Sequence, residues 1–373
     1  MKTNLLKKNI PKGWKIQKIK DLLDFEQPTK YIVESSNYIP DGKTPVLTAN
    51  KSFVLGYTNE VDGVYESTPA IIFDDFTTDS KYVDFPFKIK SSAIKILTNR
   101  DENTDLKFVY EIMKSFNFPI ANHKRHYISQ YQELDIVVPS TKEQKKIAEI
   151  LSSVDEQIQK IDDIIVVMEK IKTGLIKDLF DFKNKKNTKI MILGEIGKVS
   201  MCKRIFKKET SNVGDIPFYK IGTFGKKADA FISQEQFDLY KKKFSFPKVG
   251  DVLLSASGTI GRKVRYDGKP AYFQDSNIIW LDHDESKILN NFLFYLYDTI
   301  RWETSGSTIK RLYNNAFIKV VVPVPPIDKQ LQIVEVLSNV DKNILINKNL
   351  KENMFLLKKG LVSDLLNAKV RVK

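Results

Sequence analysis

Between positions 147 and 168 apolar residues fall at alternating steps of four and three: Ile147, Leu151, Val154, Ile158, Ile161, Ile165 and Met168. That spacing is the seam of a coiled coil, narrower than the stripe of a helix lying on one small domain. Leu175 and Leu179 continue the frame past a polar Lys172. It returns at Ile333, Leu337, Val340, Ile344, Met354, Leu361 and Leu365, broken by Asn347, Lys351 and Lys358, whose neighbours Leu350 and Leu357 are expected to take their places. Pro139 and the pair Pro325-Pro326 stand just ahead of the two patterns as helix-start signals. At 1.5 Å rise, about 40 residues would make each helix a rod of roughly 60 Å. A seam this long exceeds what one small domain can cover, so the two helices are expected to pair with each other, their polar positions setting register.

The two seams are copies. Residues 139 to 158, PSTKEQKKIAEILSSVDEQI, recur without a gap as residues 325 to 344, PPIDKQLQIVEVLSNVDKNI, an offset of 186 residues (139 to 325). Gln144 matches Gln330, Ser152 matches Ser338 and Asp155 matches Asp341. The register also pairs Lys124, Arg125 and Tyr127 with Lys310, Arg311 and Tyr313. Farther upstream only short echoes survive, such as Pro86, Ser92, Ile94 and Leu97 with Pro270, Ser276, Ile278 and Leu281. An internal repeat reorganises the whole reading. Similar segments should share one job, and diverged segments should do related but distinct ones.

The diverged segments look different from the repeated helices. Short β-rich runs bounded by turn residues are expected as strands: Thr44 to Leu47, Ala70 to Phe73, Ile216 to Ile221 and Val252 to Leu254. Each segment ends in a helix-like stretch, Asp105 to Phe116 and Asn290 to Arg301. The fold class is therefore α+β, with two β-rich domains joined by two long helices and an internal pseudo-two-fold repeat. The boundaries follow: 1–140 the first domain, 141–182 the first repeated helix, 183–324 a linker and the second domain, and 325–373 the second repeated helix with a basic tail. The run Lys183 to Lys189, KNKKNTK, has the composition of an exposed linker.

Composition changes the picture mainly through charge. The 373 residues hold 60 Lys+Arg against 46 Asp+Glu, a formal charge of +14, which suits a polyanionic partner such as nucleic acid or an anionic membrane surface. Apolar residues make up 42% of the chain, enough to fill cores and to argue against disorder. The opening residues lack the apolar core of a signal peptide, and no run approaches the roughly 18 apolar residues of a membrane span. With one cysteine and three histidines there is neither an internal disulfide nor a zinc ligand cluster, so a reducing cytoplasm is the expected home.

A search for catalysis finds little. There is no phosphate-binding G-x-x-x-x-G-K-[ST] loop, no H-E-x-x-H pair, and no Asn/Asp-Pro-Pro-aromatic tetrapeptide of the kind that serves a flipped base. Asp74-Asp75 and Asp162-Asp163 are adjacent carboxylates open to a metal, the latter on the coiled-coil stretch. Cys202 lies beside Lys203 and Arg204, which could lower its pKa, but no partner base is identifiable.

What remains is binding chemistry. Ser255, Ser257 and Thr259 lie among glycines just after an expected strand, followed by Arg262, Lys263 and Arg265. Hydroxyls and backbone N–H groups contact phosphates, while Arg reads guanine bidentately. The first half offers Thr77, Thr78 and Lys81 at the matching place, with fewer cations. A second pair of candidates precedes the helices: Lys124, Arg125 and His126 after Asn122-His123, and Ser307, Thr308, Lys310 and Arg311.

These features resemble the specificity subunits of Type I restriction-modification systems. The resemblance rests on the order of diverged domain, repeated helix, diverged domain, repeated helix. It rests also on Val138 to Asp155 (VPSTKEQKKIAEILSSVD), Val324 to Asp341 (VPPIDKQLQIVEVLSNVD), the Gly-Ser-Thr element at 306–308 and the Ser-Gly-Thr-Ile-Gly element at 257–261. The first half departs from it, with Ala121-Asn122-His123 in place of Gly-Ser-Thr and Phe73-Asp74-Asp75-Phe76 in place of the glycine loop. The resemblance implies that each diverged segment is a target-recognition domain, that the helices pair antiparallel, and that the chain is non-catalytic. It would read two blocks of double-stranded DNA separated by an uninspected spacer, an asymmetric bipartite site. The implied partners are two methyltransferase subunits and endonuclease subunits, which would carry S-adenosylmethionine, ATP and Mg²⁺; this chain itself would hold no cofactor. The alternative from another class is a duplicated coiled-coil scaffold that binds proteins.

Overall fold

The short apolar runs of the two diverged segments pair into sheets with one and the same strand order. The computed structural model describes residues 10–50, 52–116, 118–119, 124–182, 187–303 and 310–372. They form two compact units, Met1–Asp163 with Asn349–Lys373, and Ile164–Lys348. In the first, β1 (Lys15–Lys18), α1 (Ile19–Leu22), β2 (Leu23–Glu26), β3 (Thr44–Leu47), β4 (Val54–Thr58), β5 (Ala70–Asp74), β6 (Ser80–Val83), β7 (Lys88–Ile89), β8 (Ile94–Asn99), α2 (Leu106–Ser115) and β9 (Asp135–Val138) lead into α3 (Thr141–Leu179). Strands order as β2-β8-β5-β6, β4-β3-β7 and β1-β9.

The second unit is built from β10 (Lys189–Ile192), α4 (Leu193–Ile196), β11 (Lys198–Ser200), β12 (Ile216–Tyr219), β13 (Phe231–Ile232), α5 (Gln234–Lys243), β14 (Val252–Ser255), β15 (Lys263–Arg265), β16 (Tyr272–Phe273), β17 (Ile278–Asp282), α6 (Asn290–Leu296), α7 (Asn314–Ile318) and β18 (Val321–Val324), leading into α8 (Ile327–Leu366). Its sheets order as β11-β17-β14-β15, β13-β12-β16 and β10-β18, strand for strand the order of the first unit. Each three-stranded sheet even keeps its one parallel pairing, β3 with β7 and β12 with β16.

Alternation along the strands divides each unit into two cores, because successive side chains leave a strand on opposite faces. Ile71 and Phe73 face α1, α2 and α3, while Ala70 and Ile72 face the β3 sheet. In the second unit Val252 and Leu254 face α6 and α8, and Leu253 faces the β12 sheet.

Several expected boundaries move. The strand expected over 216–221 stops at Tyr219, because the amide of Lys220 donates to Thr223 Oγ1 at 3.1 Å and turns the chain. The helix expected to Arg301 stops at Leu296 and tightens into a 3₁₀ turn, Tyr297–Thr299. Lys263 Nζ takes the carbonyl of Phe294, which a continuing α-helix would give to the amide of Asp298. Of the expected linker, residues 183–186 lie outside the described residues, and Lys189 pairs with Val324 as the first residue of β10.

The repeated glutamine explains why the motif before each long helix carries a polar residue in an apolar context. Gln144 is 3% exposed; its Nε2 donates to Asn103 O and Pro139 O, and its Oε1 accepts the amide of Asp105 at 2.9 Å. Gln330 is 0% exposed and does the same with Lys287 O, Pro325 O and the amide of Leu289 at 2.8 Å. Each glutamine thus ties the start of its long helix to the start of α2 in the first unit and of α6 in the second, satisfying buried backbone groups that would otherwise be orphaned.

Within each unit the two long helices run antiparallel. In the first, Asp155 meets Lys358 and Asp162 meets Lys351; in the second, Glu169 meets Lys348 at 2.8 Å and Lys172 meets Asp341 at 2.6 Å. Along α3 the seam residues Ile147, Leu151, Val154, Ile158, Ile161 and Ile165 are buried, with Met168, Leu175 and Leu179 half-buried. Along α8 Ile333, Leu337, Ile344 and Leu365 are buried, and Val340, Met354 and Leu361 half-buried. Leu350 and Leu357 do not take over the polar positions; they are 45% and 50% exposed. Asn347, Lys351 and Lys358 keep the seam because α3 answers them with Met168 Sδ, Asp162 and Asp155. Lys358 also reaches the buried Glu111 of α2 at 3.3 Å. Burial alone would raise the Asp155 carboxyl, but the bonds and charges of Lys358 and Lys114 outweigh it and hold the group below its ordinary range.

Candidate nucleic-acid interface

The chain segments singled out as binding candidates come together at one junction in each unit. In the first, the amide of Asp75 donates to Ala93 O at 2.9 Å, and the carbonyl of Asp75 accepts the amide of His126 at 2.9 Å. In the second, the amide of Ala256 donates to Asn277 O at 2.7 Å, and its carbonyl accepts the amide of Leu312 at 2.9 Å. The turn after the central strand is therefore stitched to the basic segment ahead of the long helix in both halves. Side chains differ where the backbone agrees.

In the second unit the turn braces itself. Ser255 Oγ donates to Thr259 O at 2.6 Å and accepts the amide of Arg262 at 2.9 Å, so this buried hydroxyl is spent within the loop. Gly261 has φ +88°, and a Cβ there would stand 2.8 Å from the Trp302 indole nitrogen, so both conformation and space require glycine. Ser257 is buried and donates to Asn277 Oδ1 at 2.7 Å, and that oxygen also accepts from Arg311 Nη2 at 3.4 Å. Thr259, Lys310 and Arg311 are exposed. Arg262 is half-buried, its Nη1 on the carbonyl of Phe224 at 3.0 Å.

Lys263 and Arg265 face α6. Lys263 reaches Phe294 O and the Asp298 carboxylate, and burial lowers its pKa to about 8. The Arg265 guanidinium lies 3.8 Å from the Phe294 ring centroid. Ser307 and Thr308 lie outside the described residues, as do Asn122 and His123.

In the first unit the turn is capped by Asp74, whose Oδ1 accepts the amides of Phe76 and Thr77 at 2.9 Å. Thr78 closes it at φ 59°, a left-handed conformation a side chain adopts at a cost of roughly 1 kcal/mol or more. Asp75 is 2% exposed, its Oδ1 accepting the amide of Tyr127 at 2.8 Å and its Oδ2 lying 3.4 Å from the equally buried Lys95. Lys124 and Arg125 are exposed, with Arg125 5.9 Å from the Phe76 ring, and Thr77, Thr78 and Lys81 are half-buried. His126 points inward, 3% exposed and edge-on to Phe118.

The sequence reading passed over Asn277, although Ser276 beside it belongs to one of the short echoes. It took Asp75 as a metal candidate and as part of the stretch replacing the glycine loop, not as a brace, and the described residues hold no group of three His, Cys, Asp or Glu placed for a metal. Burial pushes the Cys202 thiol up to about 12, against a smaller lowering from the backbone of Phe273, so Lys203 and Arg204 do not activate it. Lys226 and Lys227, which the sequence did not single out, are both exposed beside Gly225, where a Cβ would lie 3.7 Å from Arg262 Cδ. Among the described residues no helix is long and apolar enough to cross a membrane.

Comparison with known proteins agrees with the duplicated architecture. Residues 11–170 and 185–354 each match the family described as the Type I restriction modification DNA specificity domain. A putative type I restriction enzyme specificity subunit of Haemophilus influenzae is 36% identical over 312 residues, covering 79% of this chain and 80% of that protein. A type I restriction enzyme specificity subunit of Escherichia coli is 31% identical over 350 residues, covering 86% and 85%. The crystal structure of the Type I restriction-modification S subunit from M. genitalium superposes with a TM-score of 0.66 at 19% identity, covering 97% of each chain, which supports the fold. The family match spans both diverged segments as well as the helices, which a generic coiled-coil scaffold would not do. On these grounds the chain belongs to the Type I restriction-modification DNA specificity family.

Proposed function

We propose that this chain is the non-catalytic DNA-reading subunit of a Type I restriction-modification complex, and that it reads an asymmetric site of two short blocks. The observation that carries the reading is the junction built twice on one backbone plan and furnished with different side chains. A shared frame with unlike contents suits two readers of unlike sequence. The proposed contact set is Thr77, Thr78, Lys81, Lys124 and Arg125 in the first domain, and Thr259, Arg262, Lys310 and Arg311 in the second, with Lys226 and Lys227 as further phosphate contacts. Ser307 and Thr308 are retained as candidates from the sequence. His126, Ser255, Ser257, Lys263 and Arg265 act on this reading as supports for the contacting residues.

The partners would be two methyltransferase subunits, which bring S-adenosylmethionine, and endonuclease subunits, which bring ATP and Mg²⁺. Support comes from α8, where each unit by itself shows an adjacent exposed apolar pair, Leu345 and Ile346 in the second and Phe355 and Leu356 in the first, each more than half exposed. Adjacent exposed apolar side chains suit contact with a protein partner. Mapping methylated bases in the source genome, with and without this chain, tests the reading directly. Deletion is expected to abolish methylation at one split, asymmetric motif; loss of no such motif would refute it.

A further inference from the structure

Arg311 is exposed, yet it is not loose: one of its two terminal nitrogens is held by Asn277 Oδ1 at 3.4 Å. Asn277 is itself fixed from both sides. Its carbonyl accepts the amide of Ala256, its amide donates to Asp275 O at 2.6 Å, and its Oδ1 accepts from the buried Ser257. A main-chain bridge between Ser257 and Arg311 adds a further restraint. A guanidinium held at one corner presents its remaining N–H groups in a set direction. Such a pre-oriented fork suits the O6/N7 edge of guanine better than a phosphate, which accepts donors from many directions. Lys310 beside it is exposed and has no ion pair among the described residues, as a phosphate contact would require.

We propose that Arg311 is a specificity-determining residue that reads a guanine in the block recognised by the second domain, and that Asn277, with Ser257 behind it, is its positioning residue. The inference rests on the DNA-reading function proposed above. The first unit solves the same problem differently. Arg125 lies in the segment anchored by the Asp75 main chain and carboxylate and, among the described residues, has the Phe76 ring beside it and no side-chain acceptor. Where the second unit has Asn277, the first has Ala93 on the same backbone bond, so loss of the asparagine should be felt in one block only.

The test is selection of randomised duplexes by the full chain with its methyltransferase partner, scored position by position. Arg311→Ala, an exposed change that leaves the core intact, should lower discrimination at one G·C pair of one block by about 10-fold or more. Asn277→Ala should reproduce that loss at the same pair. Asn277→Asp, which keeps the acceptor oxygen, should restore it even where overall affinity falls with the added negative charge. Preferences in the other block should not move for any variant. Equal weakening of both blocks by Asn277→Ala, or a lowered melting temperature with unchanged base preferences, would make Asn277 merely structural. An unaltered G·C preference in Arg311→Ala would overturn the reader itself. If the wild-type chain selects no bipartite motif, the proposed function fails rather than this inference.

Discussion

The two units share every strand pairing order and both glutamine locks, but they spend their polar groups differently at the junction and at the seam. At the junction the first unit buries an ion pair, Asp75 with Lys95, where the second places Ala256 and Ile279. At the seam the repeat-related pairs Asp155–Lys358 and Lys172–Asp341 sit in unlike surroundings. Buried Glu111 joins the first, and the Tyr295 hydroxyl donates to Asp341 at 2.7 Å in the second. Backbone hydrogen bonding, which every residue but proline can supply as both donor and acceptor, keeps a fold through divergence, while side-chain networks are free to change.

The comparison can be sharpened first where the units agree. Gln144→Ala and Gln330→Ala each remove three hydrogen bonds and leave buried backbone groups unpaired. Each should cost about 3 kcal/mol by chemical denaturation. Hydrogen exchange should rise at the amide of Asp105 in one variant and of Leu289 in the other; an exchange change spread evenly over both units would break the equivalence.

The seam should then show the difference. Lys358→Met strands Glu111, which is 1% exposed, although Lys114 still stands 3.3 Å from it. The expected loss is about 2 kcal/mol. Lys172→Met, at the matching place, leaves a more open Asp341 that keeps its tyrosine, and should cost less than about 1 kcal/mol. Equal losses in the two variants would mean that Glu111 does not distinguish the units.

A third pair of variants separates support from contact within one loop. Arg265→Ala should lower stability by about 1.5 kcal/mol through its lost packing on Phe294, with the salt dependence of DNA binding unchanged. Arg262→Ala should do the reverse, costing less stability, through its one bond to Phe224 O, and reducing the salt slope by about 0.9 on neutralising one phosphate fewer.

The last effect is a titration. With its pKa lowered to about 8 by burial, Lys263 loses its proton in the folded chain well before it would in the unfolded one. Above that value the unfolded state binds more protons, so stability from this group rises with pH up to the ordinary lysine range and is flat below. Relative to Lys263→Met, the wild type should gain about 1 kcal/mol between pH 8 and 9. A difference that falls over that interval would reverse the assignment.

Much of the architecture was legible because repeated sequence is a direct record of repeated structure. Gln144 and Gln330 could have been recognised as buried locks from the sequence, since a polar residue kept at matching positions beside an apolar seam needs a reason. Asn277 and Asp75 could not, for neither stands in a motif, and their importance comes from carbonyls and amides that approach them from remote parts of the chain. Lys263 and Arg265 looked like contact residues because cations beside a glycine loop fit a polyanion. In the fold both pack on Phe294, and Lys263 also pairs with Asp298, about 30 residues away.

By itself the sequence determined the duplication, the α+β class, the heptad frame and the family, because periodicity and repetition are local properties that need no knowledge of neighbours. Only the tertiary structure decided that both diverged segments share one strand order, and that Asn347, Lys351 and Lys358 stay in the seam in preference to Leu350 and Leu357. It alone decided which cations face solvent. Those outcomes depend on what each side chain meets across space. A lysine on a seam is costly or favourable according to whether an aspartate faces it, and no spacing along one helix reveals the residue on the other.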